Sequence, residues 1–157
     1  MRDTRRVRIS AKSDYAIRAM AELAVGGADG AVKAEQIAVA QDIPLNFLLG
    51  ILRELRNSHL VRSQRGREGG YVLSRPASQI ALADVIRAVD GPLANVRDLS
   101  LTELSYPGPA ASLRDVWMAV RGSLREVLEN VTVADLASGR LPKHVRSLAE
   151  RHQAERV

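Results

Sequence analysis

Cysteine is absent from all 157 residues. That removes disulfides, thiolate metal sites, cysteine nucleophiles and cysteine-ligated iron–sulfur clusters in one step. Histidine is scarce as well: His59, His144 and His152 lie far apart in the sequence, so no zinc site is expected from them. No cofactor and no metal ligand is assigned. Aromatic residues make up 3% of the chain, which leaves the core to Leu, Val, Ile and Ala. No apolar run approaches the ~18 residues needed to span a bilayer. The basic start, Met1-Arg-Asp-Thr-Arg-Arg-Val-Arg8, leads into an amphipathic segment and not into the apolar block of a signal peptide. A cytoplasmic protein with no membrane partner is expected.

The parts of an enzyme are missing too. A catalytic reading must name a nucleophile, a base and a pocket. No histidine falls in a motif with an acidic residue and Ser, and Gly66-x-x-Gly-Gly70 lacks the lysine of a phosphate-binding loop. Independent catalysis is not expected.

What is present is a segregated charge. The net charge of +5 sits wholly in the first half, where residues 1–75 carry 13 Lys/Arg against 8 Asp/Glu. Residues 76–157 carry 10 of each. A polyanion-binding half explains this segregation; chance plus a basic N-terminal tail is the bland alternative.

The apolar pattern predicts a mainly α protein with a small β-hairpin. A first helix spans about Ala11 to Val25, with Ser10 as N-cap and Tyr15, Ile17, Ala19, Met20, Leu23 and Ala24 on its apolar side. Gly26-Gly27-Ala-Asp-Gly30 stops it. A short helix follows at about Ala34–Ala40, then a break at Asp42-Ile43-Pro44. The next helix, Pro44 to Asn57, gathers Phe47, Leu48, Ile51, Leu52 and Leu55 as its core face. Its opposite side carries Asn46, Gly50, Arg53 and Asn57, flanked by Leu49 and Arg56. Two helices joined by a short turn, the second showing Asn and Arg outward, make a helix-turn-helix.

Leu60–Arg65 and Tyr71–Ser74 are β-prone runs around Gly66-Arg-Glu-Gly-Gly70 and predict a hairpin. A hairpin directly after a helix-turn-helix is a wing, and this one carries Arg65 and Arg67 at its tip. Arginine gains from the concentrated negative potential of an A·T minor groove; the alternative is a solvated hairpin that touches nothing. Beyond a linker, a helix at about Leu82–Asp90 turns Leu82, Val85, Ile86 and Val89 inward. Residues 93–111 read as a loop, long enough to be functional or disordered.

The longest periodic segment runs from Ser112 to Val131. Leu113, Val116, Trp117, Val120, Leu124, Val127, Leu128 and Val131 trace one stripe. A helix of ~30 Å must bury such a stripe on something, and a second copy of itself is the economical partner, since twofold dimers dominate soluble oligomers. Packing on its own domain is the alternative. A short helix at Val133–Ala137 behind the N-cap Thr132, and a polar helix from Lys143, complete the chain.

These residues resemble the bacterial regulator family that includes IscR, NsrR and CymR. The matching stretches are Ser10-Ala-Lys-Ser-Asp-Tyr-Ala-Ile-Arg-Ala-Met20, Leu60-Val-Arg-Ser-Gln-Arg-Gly-Arg-Glu-Gly-Gly-Tyr71, Val85-Ile-Arg-Ala-Val-Asp-Gly-Pro-Leu93 and Thr132-Val-Ala-Asp-Leu136. The resemblance covers about residues 9–137. It implies a homodimer with a winged helix-turn-helix, paired through the long helix and reading double-stranded operator DNA, with the character of a repressor. Within it, Arg65 matches a wing arginine that enters the minor groove, Asn46 a recognition-helix position that contacts DNA, and Lys12 a basic position at the start of the first helix. The DNA-binding set is therefore Lys12, Asn46, Leu49, Gly50, Arg53, Arg56, Arg65, Gly66 and Arg67. The dimerisation set is Leu113, Val116, Trp117, Val120, Leu124, Val127 and Leu128.

The departures from the family pattern are informative. Leu49 and Gly50 stand where an iron–sulfur relative reads bases with Glu and Gln, so operator sequence does not transfer. Leu49 can meet a thymine methyl, and Gly50 either permits close backbone approach or is a tolerated helix glycine costing ~1 kcal/mol. The three cysteines of cluster-binding relatives are missing before the long helix, and Arg114 replaces a histidine that some of them use. Asp14 lies near an acidic ligand position but alone cannot hold a cluster, and reads as helix-start electrostatics. A cluster-free member is expected, with a small molecule or a protein as effector, or none. The domain plan is 9–91 for the winged helix-turn-helix, 92–111 for a connecting loop at the sensor position, 112–140 for the dimerisation region and 141–157 for a tail. The alternative function is an interaction regulator that binds a metabolic enzyme or another partner through the loop and long helix.

Overall fold

The computed structural model describes residues 9–93 and 99–153. The basic run at 1–8, residues 94–98 of the connecting loop and residues 154–157 of the tail lie outside the described residues. Seven α-helices are described: α1 (Ala11–Gly26), α2 (Ala34–Gln41), α3 (Leu45–Asn57), α4 (Leu82–Asp90), α5 (Leu113–Leu128), α6 (Val133–Ser138) and α7 (Lys143–Gln153). Between α3 and α4 stands a two-stranded antiparallel hairpin, β1 (Val61–Gln64) and β2 (Gly70–Leu73). The mainly α fold with a β-hairpin wing is thus as expected.

Helix α1 is the centre of the packing. Ser10 caps it, its hydroxyl accepting from the Ser13 N–H at 2.9 Å, which satisfies one of the donors left open by a helix start. Ala16, Ala19, Met20 and Leu23 are buried along one face. They join Ile37 of α2, Leu48, Ile51, Leu52 and Leu55 of α3, Val85 and Val89 of α4 and Val133 of α6 in one core. Each large aliphatic side chain buried there contributes ~1.5–3 kcal/mol, whereas the exposed ion pairs contribute ~0–1 kcal/mol. Apolar burial therefore decides the fold. A polar clasp joins the ends of two helices: the hydroxyls of Ser10 and Ser13 both donate to the Asp90 carboxylate at the close of α4.

The segment around α2 and α3 turns sharply because Asp42 closes α2 in the left-handed region at φ 51° and Pro44 precedes the first turn of α3. The start of α3 falls one residue later than expected. Phe47 is a correction. It was expected in the core, yet it is 47% exposed and stands at the border of the apolar arc, its ring perpendicular to Tyr15 at 5.6 Å.

The hairpin pairs Val61 with Leu73 and Gln64 with Gly70. Tyr71 also exchanges backbone hydrogen bonds with Val32 at 2.8 and 2.9 Å, so the wing is anchored to the chain ahead of α2. That close approach requires glycine at Gly70, whose φ is +149° and where a Cβ would lie 2.4 Å from the Val32 carbonyl oxygen.

The second half differs from expectation in two places. Residues 99–111 are not a plain loop: single 3₁₀ turns form at Leu101–Glu103 and Gly108–Ala110, and Leu101 and Leu104 are buried. Helix α5 is shorter than the 112–131 stripe. Val131 leaves it and is buried, because its carbonyl accepts from the Leu82 N–H at 2.9 Å. Thr132 then caps α6 through reciprocal bonds with Asp135 at 2.9 and 3.0 Å, a capping box. Where α4 meets α5, Glu129 accepts from Arg87 at 2.5 Å and Arg125 at 2.9 Å. The Arg87 hydrogen bond first, and that of Arg125 next, hold its carboxyl below the usual range.

Two glycines test this description. Gly70→Ala is expected to lower stability in urea unfolding by more than ~1 kcal/mol, the scale of an incompatible backbone. Gly27→Ala, where a Cβ meets nothing within 4 Å and φ is −65°, is expected to leave stability unchanged or raised.

Candidate nucleic-acid interface

Burial of Leu48, Ile51, Leu52 and Leu55 fixes the rotation of α3, so its other side faces out. Asn46, Arg53, Arg56 and Asn57 are exposed there, with Leu49 also exposed and Gly50 half-buried among them. Arg53 and Arg56 have no ion-pair partner among the described residues. The wing adds Arg62, Arg65 and Arg67, all exposed and likewise unpaired among the described residues. Free guanidinium groups on a helix and a hairpin tip are what phosphate oxygens and groove edges attract.

The wing tip is built by its glycines. Gly66 takes φ +103°, and at Gly69 a Cβ would lie 2.4 Å from the Gln64 carbonyl oxygen. The Gly69 N–H donates to the Gly66 carbonyl at 3.0 Å. Arg65 and Arg67 therefore flank a tight turn and project from it without bulky neighbours.

Lys12 is not free. Its ammonium pairs with Glu54 of α3 at 2.7 Å, tying the start of α1 to the recognition helix. Phosphate contact by Lys12 requires exchanging one anion for another. Glu54 is the residue that sequence reasoning missed: it lies 42 positions from Lys12, so no local spacing announces the pair. Asp14 binds Arg18 one turn on, at 3.1 Å, in keeping with an electrostatic role near the helix start. Arg18 also donates to the Gln41 carbonyl at 2.8 Å and stacks over Tyr15 at 4.7 Å.

The residues proposed for pairing fall on α5. None is fully buried in the chain. Leu113, Trp117, Leu124, Val127 and Leu128 are half-buried, while Val116 and Val120 are 51% and 39% exposed. The Trp117 indole donates to the Tyr106 hydroxyl at 3.2 Å, and Arg114 donates to the Leu101 carbonyl at 3.3 Å. No helix among the described residues is long and apolar enough to cross a membrane.

A helix-turn-helix with an arginine-tipped hairpin behind it defines the class of winged helix-turn-helix DNA-binding regulators. Comparison with known proteins agrees. Residues 9–139 match the Rrf2 family, described as an iron-dependent transcriptional regulator. Rv1287 of Mycobacterium tuberculosis (strain ATCC 25618 / H37Rv), which bears the provisional name of an HTH-type transcriptional regulator, is 53% identical over 149 residues, covering 95% of this chain and 92% of that one. CymR of Bacillus subtilis (strain 168) is 36% identical over 132 residues, covering 84% and 91%. The solved structure of that protein, the global cysteine regulator of B. subtilis, superimposes with a TM-score of 0.72 over 85% of this chain and 98% of its own, at 34% identity. The T. potens IscR structure gives 0.66 over 96% and 93%, at 30% identity. This chain belongs to the Rrf2 family: it is a DNA-binding helix-turn-helix transcriptional regulator, and its relatives are regulators, not enzymes.

Iron enters with the family description, and the donor set of this chain does not suit an iron–sulfur cluster. Such clusters are held chiefly by thiolates, and the chain has no cysteine. Ahead of α5 the described residues include the buried Leu101 and Leu104, and in its first turn stands Arg114, whose guanidinium is bound to a backbone carbonyl. Among the described residues no three His, Asp or Glu side chains converge.

Glu54→Gln is expected to release Lys12. DNA affinity at low salt should rise, and the log–log salt slope should steepen by about one contact. An unchanged slope in a fluorescence-anisotropy salt titration counts against Lys12 as a phosphate ligand.

Proposed function

We propose that this regulator acts in the cytoplasm as a homodimeric, cluster-free repressor that occupies a palindromic operator. In this reading two copies pair through α5, using Leu113, Val116, Trp117, Val120, Leu124, Val127 and Leu128. The twofold axis sets two recognition helices ~34 Å apart, one turn of B-DNA. Asn46, Leu49, Gly50, Arg53 and Arg56 enter the major groove, Arg65 reaches the neighbouring minor groove beside Gly66 and Arg67, and Lys12 supports the backbone. Bound there, the dimer keeps transcription from starting.

The observation that carries the reading is the exposure of α5. A 16-residue helix with an apolar stripe and no buried residue leaves its hydrophobic side chains half in water, and a second copy removes them from it. Val116 and Val120 gain most, being the most open members of the stripe. The cluster-free part rests on the absence of cysteine. Its signal is then a small molecule or a protein, or it has none.

Light scattering at micromolar concentration tests the pairing. A dimer is expected for the native chain and a monomer for Val120→Glu, which places a charge in the stripe; a native monomer defeats the proposal. For the DNA contact, Arg65→Ala is expected to weaken binding to a selected operator by ~1–3 kcal/mol, the scale of one specific contact, with unchanged circular dichroism. Equal affinity of variant and native protein removes Arg65 from the interface.

A further inference from the structure

Beside the outward face of α3 lies a groove of about 280 Å³, lined by Lys12, Asn46, Phe47, Gly50, Arg53 and Glu54 together with Ile51. Gly50 is part of its lining, one helical turn from Asn46 on one side and from Arg53 and Glu54 on the other. A Cβ at Gly50 would meet nothing within 4 Å, so internal packing makes no demand for glycine there. A helix-interior glycine nonetheless costs stability relative to alanine. At Gly50 the groove therefore has bare backbone where another residue would place a side chain.

Its walls are selective. Phe47 contributes a half-exposed ring, held in place by its perpendicular contact with Tyr15. On the same flank one Glu54 carboxylate oxygen accepts from Lys12 at 2.7 Å, and the other is shut away from solvent. The Phe47 ring beside the bare Gly50 backbone favours the C5-methyl of thymine, which proteins read by apolar contact from side chains such as phenylalanine.

We infer that the Gly50 notch is a thymine-methyl receptor, with Phe47 as a specificity-determining residue on its wall. This inference rests on the proposal that α3 enters the major groove. The two residues make one contact per half-site: the base methyl takes the place that an alanine side chain at position 50 would fill with its own.

The test uses the full chain and a duplex selected for tight binding, with each thymine of one half-site replaced in turn by deoxyuridine, which lacks only the methyl. One position is expected to lose about fourfold in affinity, the worth of one buried methyl. Gly50→Ala is expected to raise Tm by about 2–8 °C, as a better helix former with no clash, and yet to bind the thymine site more weakly. Against Gly50→Ala, and against Phe47→Leu, the thymine-to-deoxyuridine penalty should disappear. If no deoxyuridine substitution matters, or if the penalty persists unchanged in both variants, the receptor is overturned while DNA binding stands. If the native chain binds no duplex at all, the DNA-reading proposal falls and this inference with it.

Discussion

Ala16, Ala19, Met20 and Leu23 leave water along one side of α1, and α2, α3, α4, α6 and β2 all pack around that helix. The outward face of α3 owes its position to this burial. Rotating α1 would carry Lys12 away from Glu54 and Tyr15 away from Phe47, and the recognition helix would lose its neighbours on that flank. The Ser10 and Ser13 hydroxyls on Asp90 close the same arrangement at the start of the helix. Because about a dozen large aliphatic side chains share one core, with ~1.5–3 kcal/mol for each, the DNA-facing surface can keep unpaired arginines without endangering the fold.

The chain uses glycine for two opposed purposes. At Gly69 and Gly70 neighbouring carbonyl oxygens stand where a Cβ would go, so the wing cannot be built with another residue. At Gly50 there is open space, and the helix would be better served by alanine. The first kind explains the shape of the hairpin. The second has no demand from packing inside the chain.

The half-exposed α5 stripe and the iron-free donor set bear on how a family described by its iron dependence is represented by a chain without a thiolate. Leucine side chains fill the segment ahead of α5 and Arg114 is bound to the Leu101 carbonyl. Arg87 of α4 and Arg125 of α5 meet on Glu129, just past the end of α5, and so join the two helices. The hydrogen bonds from Arg87 and then Arg125 keep the Glu129 carboxyl below its ordinary range. Protonation at low pH would cost the junction both contacts.

Much of this molecule is legible without coordinates. Helical periodicity places α1 to α6 within one to three residues, because a strongly patterned apolar face has one way to be buried; Ser10, Thr132 and Gly91 mark helix ends by local hydrogen bonding or by a positive φ. The arginines and glycines of the wing are equally visible, since turn chemistry is local. What tertiary structure alone decided are relations between distant segments. The exposure of Phe47 depends on Tyr15, 32 positions earlier; the engagement of Lys12 depends on Glu54; and the departure of Val131 from the α5 stripe depends on a backbone bond from Leu82. Periodicity reports which side of a helix is apolar, but which neighbour meets its border is set by how the elements pack, and no spacing along the chain encodes that.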